Sequence, residues 1–374
     1  MRVLRIAAAS VCVWLCAMAA GQGSTADLDQ LLKDGRVPGL SFAVLRDGRI
    51  VETKALGLRD TSTGTPVDEN TIFEAASLSK PVFAYAVLQL VDAGLLSLDT
   101  PLSTYVPNYV KDDPRAASIT VRNVLSQSSG LPNWRSNSTP LKTYFPSGER
   151  FSYSGEGFVW LQRVVEKITG QPLNDVMTRL VFDPLDMRQS SYVWRVDFET
   201  DYARPHDAQP APGDKSRPEK ARSASTLHTT AADYARFLQA VLSGARLKPD
   251  TAKQWLDPQV RLRQRCIQCL STDQPDADQH IAWGLGWGLE PDAGSFFHWG
   301  DNDQFKAFVI GSPKDRSAVV VFTNGFNGMA IMPDIIHQLM PGDHPAFLWL
   351  NYSKSVSGGG WLDWFRARWR RWVN

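Results

Sequence analysis

The chain has 374 residues, 40 Lys and Arg against 39 Asp and Glu, and 43% hydrophobic content. Such a length can bury one large core or two fused ones, which excludes a disordered chain and one that depends on disulfide staples. A formal charge of +1 gives no overall attraction to nucleic acid, and no nucleic-acid partner is expected.

The first twenty residues read as a secretory signal. Arg2 and Arg5 precede an apolar run from Ile6 to Leu15, and Ala17-Met18-Ala19 supplies the small residues of a cleavage site. The run is shorter than the roughly 20 residues that span a bilayer. Export to the periplasm or the medium is therefore expected, with residues 21–352 as the folded body. Cys12 and Cys16 leave with the signal, and Val11 and Leu15 before them are not the small residues that precede a lipidated cysteine.

Past a short polar lead, SFAVLRDGRIVETKALG alternates apolar and polar residues around Asp47-Gly48, the pattern of a tight hairpin. From Pro81 the period changes to helical: Val87, Leu88, Val91 and Leu95 share a face, and Gly94 marks the stop. Phe158, Leu161, Val164, Val165 and Ile168 form a second helical face ending at Thr169-Gly170. Thr230-Ala-Ala-Asp233 resembles a capping box ahead of Tyr234, Phe237, Leu238 and Val241. Residues 203–222, rich in Pro and charge, read as a long exposed loop. Strand patterns return in IAWGLGWGLE, SFFHWG, QFKAFVIG and SAVVVFTNG. The order strands, helices, strands predicts an α+β (α/β) fold. One antiparallel sheet is built from both ends of the chain and flanked by helices, and a mostly helical subdomain comes from an insertion over about 81–279. The cleft between them is the natural site.

The chemistry-bearing residues are few. Ser77 and Lys80 stand at i and i+3 where the helical pattern begins, so the amine can reach the hydroxyl and act on its proton. The spacing alone also fits an N-cap serine beside a solvated lysine. Ser79 points elsewhere, and Thr139-Pro140-Leu141-Lys142 is a decoy whose proline spoils the helix. Cys266 and Cys269 form a lone CxxC, read as a local disulfide or two idle thiols because no second ligand pair accompanies them. The six histidines, at 206, 228, 280, 298, 337 and 344, show no metal-ligand spacing, so neither metal nor organic cofactor is expected. No Gly-x-Ser-x-Gly elbow occurs, which disfavours an α/β-hydrolase.

FEAASLSKPVFAYAVLQLVDAGLLSLDTPL, TVRNVLSQSSGLP, FSYSGEGFVWLQRVVEKITG, FDPLDM, STLHTTAADYARFL and FHWGDNDQF, in that order over about 36–330, resemble the serine β-lactamase and penicillin-binding family of the class C β-lactamase and D,D-carboxypeptidase type. The resemblance implies the β-lactamase/transpeptidase-like fold and a serine that is acylated and then freed by water. It implies Ser77 as nucleophile, Lys80 as its partner and Tyr153, in the place of the Tyr-x-Asn tyrosine, sharing the proton work. His298-Trp299-Gly300 takes the place of Lys/His-Thr-Gly, with the backbone N–H groups of Ser77 and Asp301 as oxyanion hole and Gly300 letting substrate lie close.

Three departures bear on substrate. Gly155 stands where the family's Asn holds the acyl amide, Trp299 replaces a carboxylate-binding Thr, and His298 replaces the Lys of many members. All three weaken recognition of anionic peptides and β-lactams, and none touches Ser77, Lys80 or Tyr153. The expectation is a hydrolase of a small-molecule acyl substrate, ester or amide. A true β-lactamase or D,D-carboxypeptidase is the alternative enzyme, and a β-lactam- or peptidoglycan-binding module that acylates without turnover is the alternative of another class.

SKSVSGGG (353–360) is a flexible linker by composition. Beyond it, 361–374 drawn as a helix gathers Trp361, Trp364, Phe365, Trp369 and Trp372 on one side, with Arg366, Arg370 and Asp363 opposite and Arg368 among the aromatics. A basic, Trp-rich amphipathic segment on a tether suits contact with an anionic membrane surface, or docking on the protein's own body.

Overall fold

The computed structural model describes residues 25–271 and 277–352. The expected signal (1–20), linker (353–360) and aromatic tail (361–374) lie outside the described residues. Within them no helix is long and apolar enough to cross a membrane.

The expected hairpin forms from β1 (Gly39–Arg46) and β2 (Arg49–Asp60), joined through Asp47 and Gly48 at φ 52° and 75°. Two consecutive positive φ values match the right-handed twist of the flanking strands, which is why a glycine sits there. A short β3 (Thr65–Pro66) extends this edge, and β4 (Phe73–Glu74) pairs separately with β5 (His228–Thr229). The rest of the main sheet comes from the far end of the chain: β6 (Val260–Arg261), β7 (Ala282–Trp283), β8 (Gly288–Glu290), β9 (Ser295–Asn302), β10 (Phe305–Ser312) and β11 (Ser317–Thr323). The nine strands run antiparallel in the order β3-β2-β1-β11-β10-β9-β8-β7-β6, so both ends of the chain meet at β1 and β11.

Every residue of β10 and β11 is buried. Their near-continuous apolar sequences follow, because the sheet is covered on both faces. One face packs on α1 (Thr25–Gly35), α9 (Gly328–Leu339) and α10 (Pro345–Trp349), where Leu28 and Leu32 join Met332, Ile336 and Phe347. The other carries α2 (Ser79–Asp92), α3 (Leu102–Tyr105), α4 (Val121–Leu125), α5 (Gly155–Thr169), α6 (Leu173–Met177), α7 (Ala231–Ser243) and α8 (Pro249–Leu256).

Several expectations change in detail. Helix α2 is not amphipathic: Ser79 through Leu88 are all buried, so it runs through the centre of its layer, while Leu95 lies beyond it and is 55% exposed. The helical stretch set at about 81–279 ends earlier, because β6 at 260–261 already belongs to the main sheet. Strands of two residues are too short to display a period. Thr230 caps α7 by accepting from Asp233 N at 3.1 Å, but the Asp233 carboxylate turns to Gln189 N and Ser190 Oγ instead of completing a box. Residues 203–222 form a loop whose start is fixed, since buried His206 bridges Thr61 N and the Asn324 carbonyl. Cys266 and Cys269 are joined as a disulfide.

Candidate active site

The sequence places Ser77 in a single 3₁₀ turn, Ala76–Leu78, just before α2. Ala76 holds φ 49°, a left-handed conformation costly for a residue with a Cβ, and it turns the Ser77 hydroxyl out of the core. Ser77 is half-buried, hence reachable, while Lys80 one turn on is fully buried. Lys80 Nζ lies 3.0 Å from Ser77 Oγ and donates to the Ala224 carbonyl at 2.9 Å. Both partners are neutral, so nothing offsets the cost of burying an ammonium, and burial pushes the Lys80 pKa down to about 7. Near neutrality the amine therefore has a free lone pair within reach of the serine proton. Ser79 has a different duty: its hydroxyl donates to the Ala76 carbonyl and accepts from Leu227 N at 3.0 Å, pinning the turn.

Tyr153 precedes α5, and its ring centre lies 4.7 Å from Lys80 Nζ. Its buried hydroxyl faces Ser77, which eases it slightly, but burial dominates and holds the phenol well above its usual range. It makes no well-formed hydrogen bond among the described residues, so a proton donor stands there without a fixed acceptor. The Tyr153 backbone N–H donates to the Ile267 carbonyl at 2.9 Å, inside the loop closed by the Cys266–Cys269 disulfide.

Strand β9 forms the third wall. His298 is fully buried; its Nδ1 sits 2.8 Å from the Trp299 carbonyl and Nε2 has no partner among the described residues. Burial first, and the Lys80 charge second, push its pKa down to about 3, against the pull of that carbonyl. A neutral imidazole with a bare Nε2 is the consequence. A Cβ at Gly300 would lie 2.4 Å from the Ala75 carbonyl, so only glycine lets β9 approach the segment leading into Ser77. Asp301 follows on the same strand, where its carboxylate pairs with Lys306 and accepts from Asp303 N at 3.0 Å.

Two expected substrate contacts differ in the structure. Trp299 is 3% exposed and packs on Tyr153 with ring centres 5.0 Å apart, among Trp283 and Trp349. Strand alternation explains this: Trp299 shares the face of Phe297, opposite Gly300, and joins the second core. Gly155 offers no open space either. A Cβ there would meet the Trp134 ring at 2.7 and 2.9 Å, so the indole fills the volume a larger side chain would need. The residues on either side of Trp134 tie its loop to α5: Ser154 Oγ donates to the Pro132 carbonyl at 2.8 Å, Gly155 N to Asn133 Oδ1 at 2.9 Å, and Arg135 pairs with Glu156.

Motif spacing does not point to the Ala224 carbonyl, Asn133, Trp134 or a brace behind the site. In that brace Glu74 accepts from Tyr202 Oη at 2.7 Å and Asn302 Nδ2 at 2.9 Å, linking β4 to the end of β9. The only cue was Trp134 itself, an aromatic in an otherwise polar loop directly after the SSGLP block.

A buried amine on a serine hydroxyl, with a phenol alongside and a glycine-lined strand opposite, can perform acyl transfer. A sequence profile described as beta-lactamase matches residues 25–338. The chain belongs to the beta-lactamase family. This family member is 28% identical over 336 residues to penicillin-binding protein 4 of Amycolatopsis lactamdurans, an alignment covering 83% of the chain and 87% of that protein. It is 34% identical over 219 residues to esterase EstB of Burkholderia gladioli, covering 49% of the chain and 54% of that protein. Its fold matches the octameric penicillin-binding protein homologue from Pyrococcus abyssi with a TM-score of 0.70 at 21% identity, over 86% of this chain and 77% of that one. The chain is thus a serine hydrolase of the beta-lactamase family with the β-lactamase/transpeptidase fold.

Proposed function

We propose that this serine hydrolase cleaves an ester or small amide through an acyl-enzyme on Ser77. The observation that carries the choice is the Trp134 ring over Gly155, which occupies the space of an amide-binding side chain. Lys80 as free amine takes the Ser77 proton while Oγ attacks the acyl carbon. The backbone N–H groups of Ser77 and Asp301 receive the developing oxyanion, with Gly300 leaving room on the strand. Tyr153, kept protonated by burial, hands a proton to the leaving group. The Lys80 ammonium returns its proton to the Tyr153 oxygen, and water then attacks the ester on Ser77 with Lys80 again as base. His298 stays neutral and offers Nε2 as an acceptor to the bound water or substrate. The likeness to esterase EstB supports the ester preference, whereas the likeness to penicillin-binding protein 4 supports peptide or β-lactam turnover as the competing reading.

A panel of p-nitrophenyl esters, nitrocefin and D-Ala-D-Ala peptides on wild type and Ser77→Ala tests this choice. Ester turnover lost in Ser77→Ala, with slow nitrocefin hydrolysis, is expected; rapid nitrocefin turnover lost in Ser77→Ala would overturn it. A stable acyl adduct without product release would instead make the protein a binding module.

The export signal and basic tail extend the proposal: the hydrolase acts outside the cytoplasm, held near an anionic membrane surface by residues 361–374. Intact mass after secretion should show loss of about the first twenty residues. Deletion of 353–374 should abolish co-sedimentation with anionic liposomes, and unchanged binding would defeat the membrane role.

A further inference from the structure

One charge on the rim of the cleft has no part in the chemistry above. Arg222 is exposed, and its guanidinium lies 5.6 Å from the centre of the Trp134 ring. The centre of that indole is also 6.0 Å from Lys80 Nζ, so one ring lies near both this arginine and the catalytic amine. The other arginine of the rim, Arg135, is neutralised by Glu156, whereas Arg222 pairs with no carboxylate among the described residues.

The arginine also projects from a fixed support. Its carbonyl accepts from Ser225 N at 3.0 Å and Thr226 N at 3.2 Å, and its N–H donates to Thr226 Oγ1 at 2.9 Å. The next two residues are buried. Ser223 N donates to Gln162 Oε1 at 2.8 Å, Ser223 Oγ to the Phe158 carbonyl at 3.0 Å, and the Ala224 carbonyl holds Lys80. The turn that positions the catalytic lysine therefore also sets where the guanidinium can reach. A cation–π approach to the indole favours some of its rotamers before any ligand arrives, which lowers the ordering cost of binding.

We propose that Trp134 and Arg222 form an acyl-side subsite for an acyl group that ends in a carboxylate, as in a monoester or monoamide of a dicarboxylic acid. The inference rests on the Ser77 acyl-enzyme reading. The acyl chain lies against the indole, which is 42% exposed, and the planar guanidinium takes the terminal carboxylate through paired N–H donors. The acyl side is indicated because the indole lies over Gly155 at the head of α5 and 6.0 Å from Lys80 Nζ, beside the serine that carries the acyl group. In turnover the Ser77 Oγ–acyl bond forms as the bond from the acyl carbon to the leaving oxygen or nitrogen breaks, and Tyr153 gives that leaving atom a proton. The serine proton passes to Lys80, and water later releases the free dicarboxylate.

The test compares p-nitrophenyl hydrogen adipate with neutral p-nitrophenyl hexanoate on wild type, Arg222→Gln and Arg222→Lys. The adipate KM should rise roughly tenfold in Arg222→Gln, with the hexanoate unchanged and Arg222→Lys in between. The wild-type preference for adipate should also shrink as NaCl is raised. Equal handling of the two esters by wild type, or an equal change for both in Arg222→Gln, overturns the subsite. Calorimetric binding of monomethyl adipate to the Ser77→Ala protein separates this proposal from the reading beneath it. Binding that disappears on adding Arg222→Gln supports the subsite even where no ester is turned over. Absence of binding alongside intact ester hydrolysis rejects the subsite and leaves the Ser77 mechanism standing.

Discussion

The floor of the cleft and its acyl-side rim are built on opposite principles. The floor, Ser77, Lys80 and Tyr153, sits where two cores meet and is fixed by backbone bonds from the Ala76 turn, the Ala224 carbonyl and Ile267. Burial there tunes protonation: it frees the lysine amine near pH 7 and keeps the phenol protonated. The rim, Trp134, Gly155 and Arg222, is an exposed aromatic and an exposed cation over a buried glycine whose N–H is held by Asn133. Reaction type is thus set by groups that cannot move, and selectivity by groups that can change without unfolding the protein.

The largest effect that could break this contrast is on the floor. Ser77→Ala should reduce kcat/KM by roughly 10⁴-fold or more in ester assays, while circular dichroism stays unchanged. Residual activity within tenfold of wild type would place the nucleophile elsewhere.

Lys80→Met and Tyr153→Phe should each cost about 10²–10⁴-fold. The pH profile sharpens this assignment. Lys80 must be the free amine to accept a proton, and burial has lowered its pKa to about 7. The ammonium form below that value is inactive, so kcat/KM should fall about tenfold per pH unit below 7 and level off above it. His298, with a pKa pushed down to about 3, is already neutral throughout that range. His298→Gln should therefore keep the limb near 7; its disappearance would assign the limb to the imidazole.

Effects on the rim are smaller and alter selectivity. Gly155→Asn alone drives a side chain into the Trp134 ring and should cost about 1–3 kcal/mol in thermal unfolding. Combining it with Trp134→Ala opens the space, and nitrocefin kcat/KM should rise about tenfold relative to esters. No change in that ratio would mean that the indole does not decide substrate choice.

The smallest effect concerns the disulfide. Cys266 and Cys269 enclose the Ile267 carbonyl that holds the Tyr153 N–H, yet the loop is short. Reduction, or Cys266→Ser with Cys269→Ser, should lower stability by about 2 kcal/mol and kcat/KM only a few-fold. Unchanged activity would show that Tyr153 is placed by packing on Trp283 and Trp299 alone.

The same division governs what the sequence discloses. The hairpin at Asp47-Gly48, the end of α5 at Gly170 and the long strands β9 to β11 carry local signals, a positive φ or a sustained period, and each can be read from a few adjacent residues. Ser77, Lys80 and Tyr153 are legible because motif spacing reflects geometry within one turn or at one helix start. Short strands β6 and β7 have no period to read, and α1, α9 and α10 are helices whose meaning lies in covering the far face of the sheet. Trp299 was read as facing the substrate because its motif neighbours do, but strand alternation sends it into the second core. Trp134 over Gly155, Arg222 over Trp134 and the Glu74 brace join residues tens to hundreds of positions apart, so only the fold reveals them.

The account's central claim is that hydrolysis runs through a covalent bond to Ser77. Labelling the full chain with a fluorophosphonate, mapping the modified peptide and following ester hydrolysis in the same sample tests it most directly. One phosphonyl group on Ser77, accumulating in proportion to lost activity, is the predicted result. Full inactivation without label on Ser77, or complete labelling of Ser77 with hydrolysis intact, would contradict it.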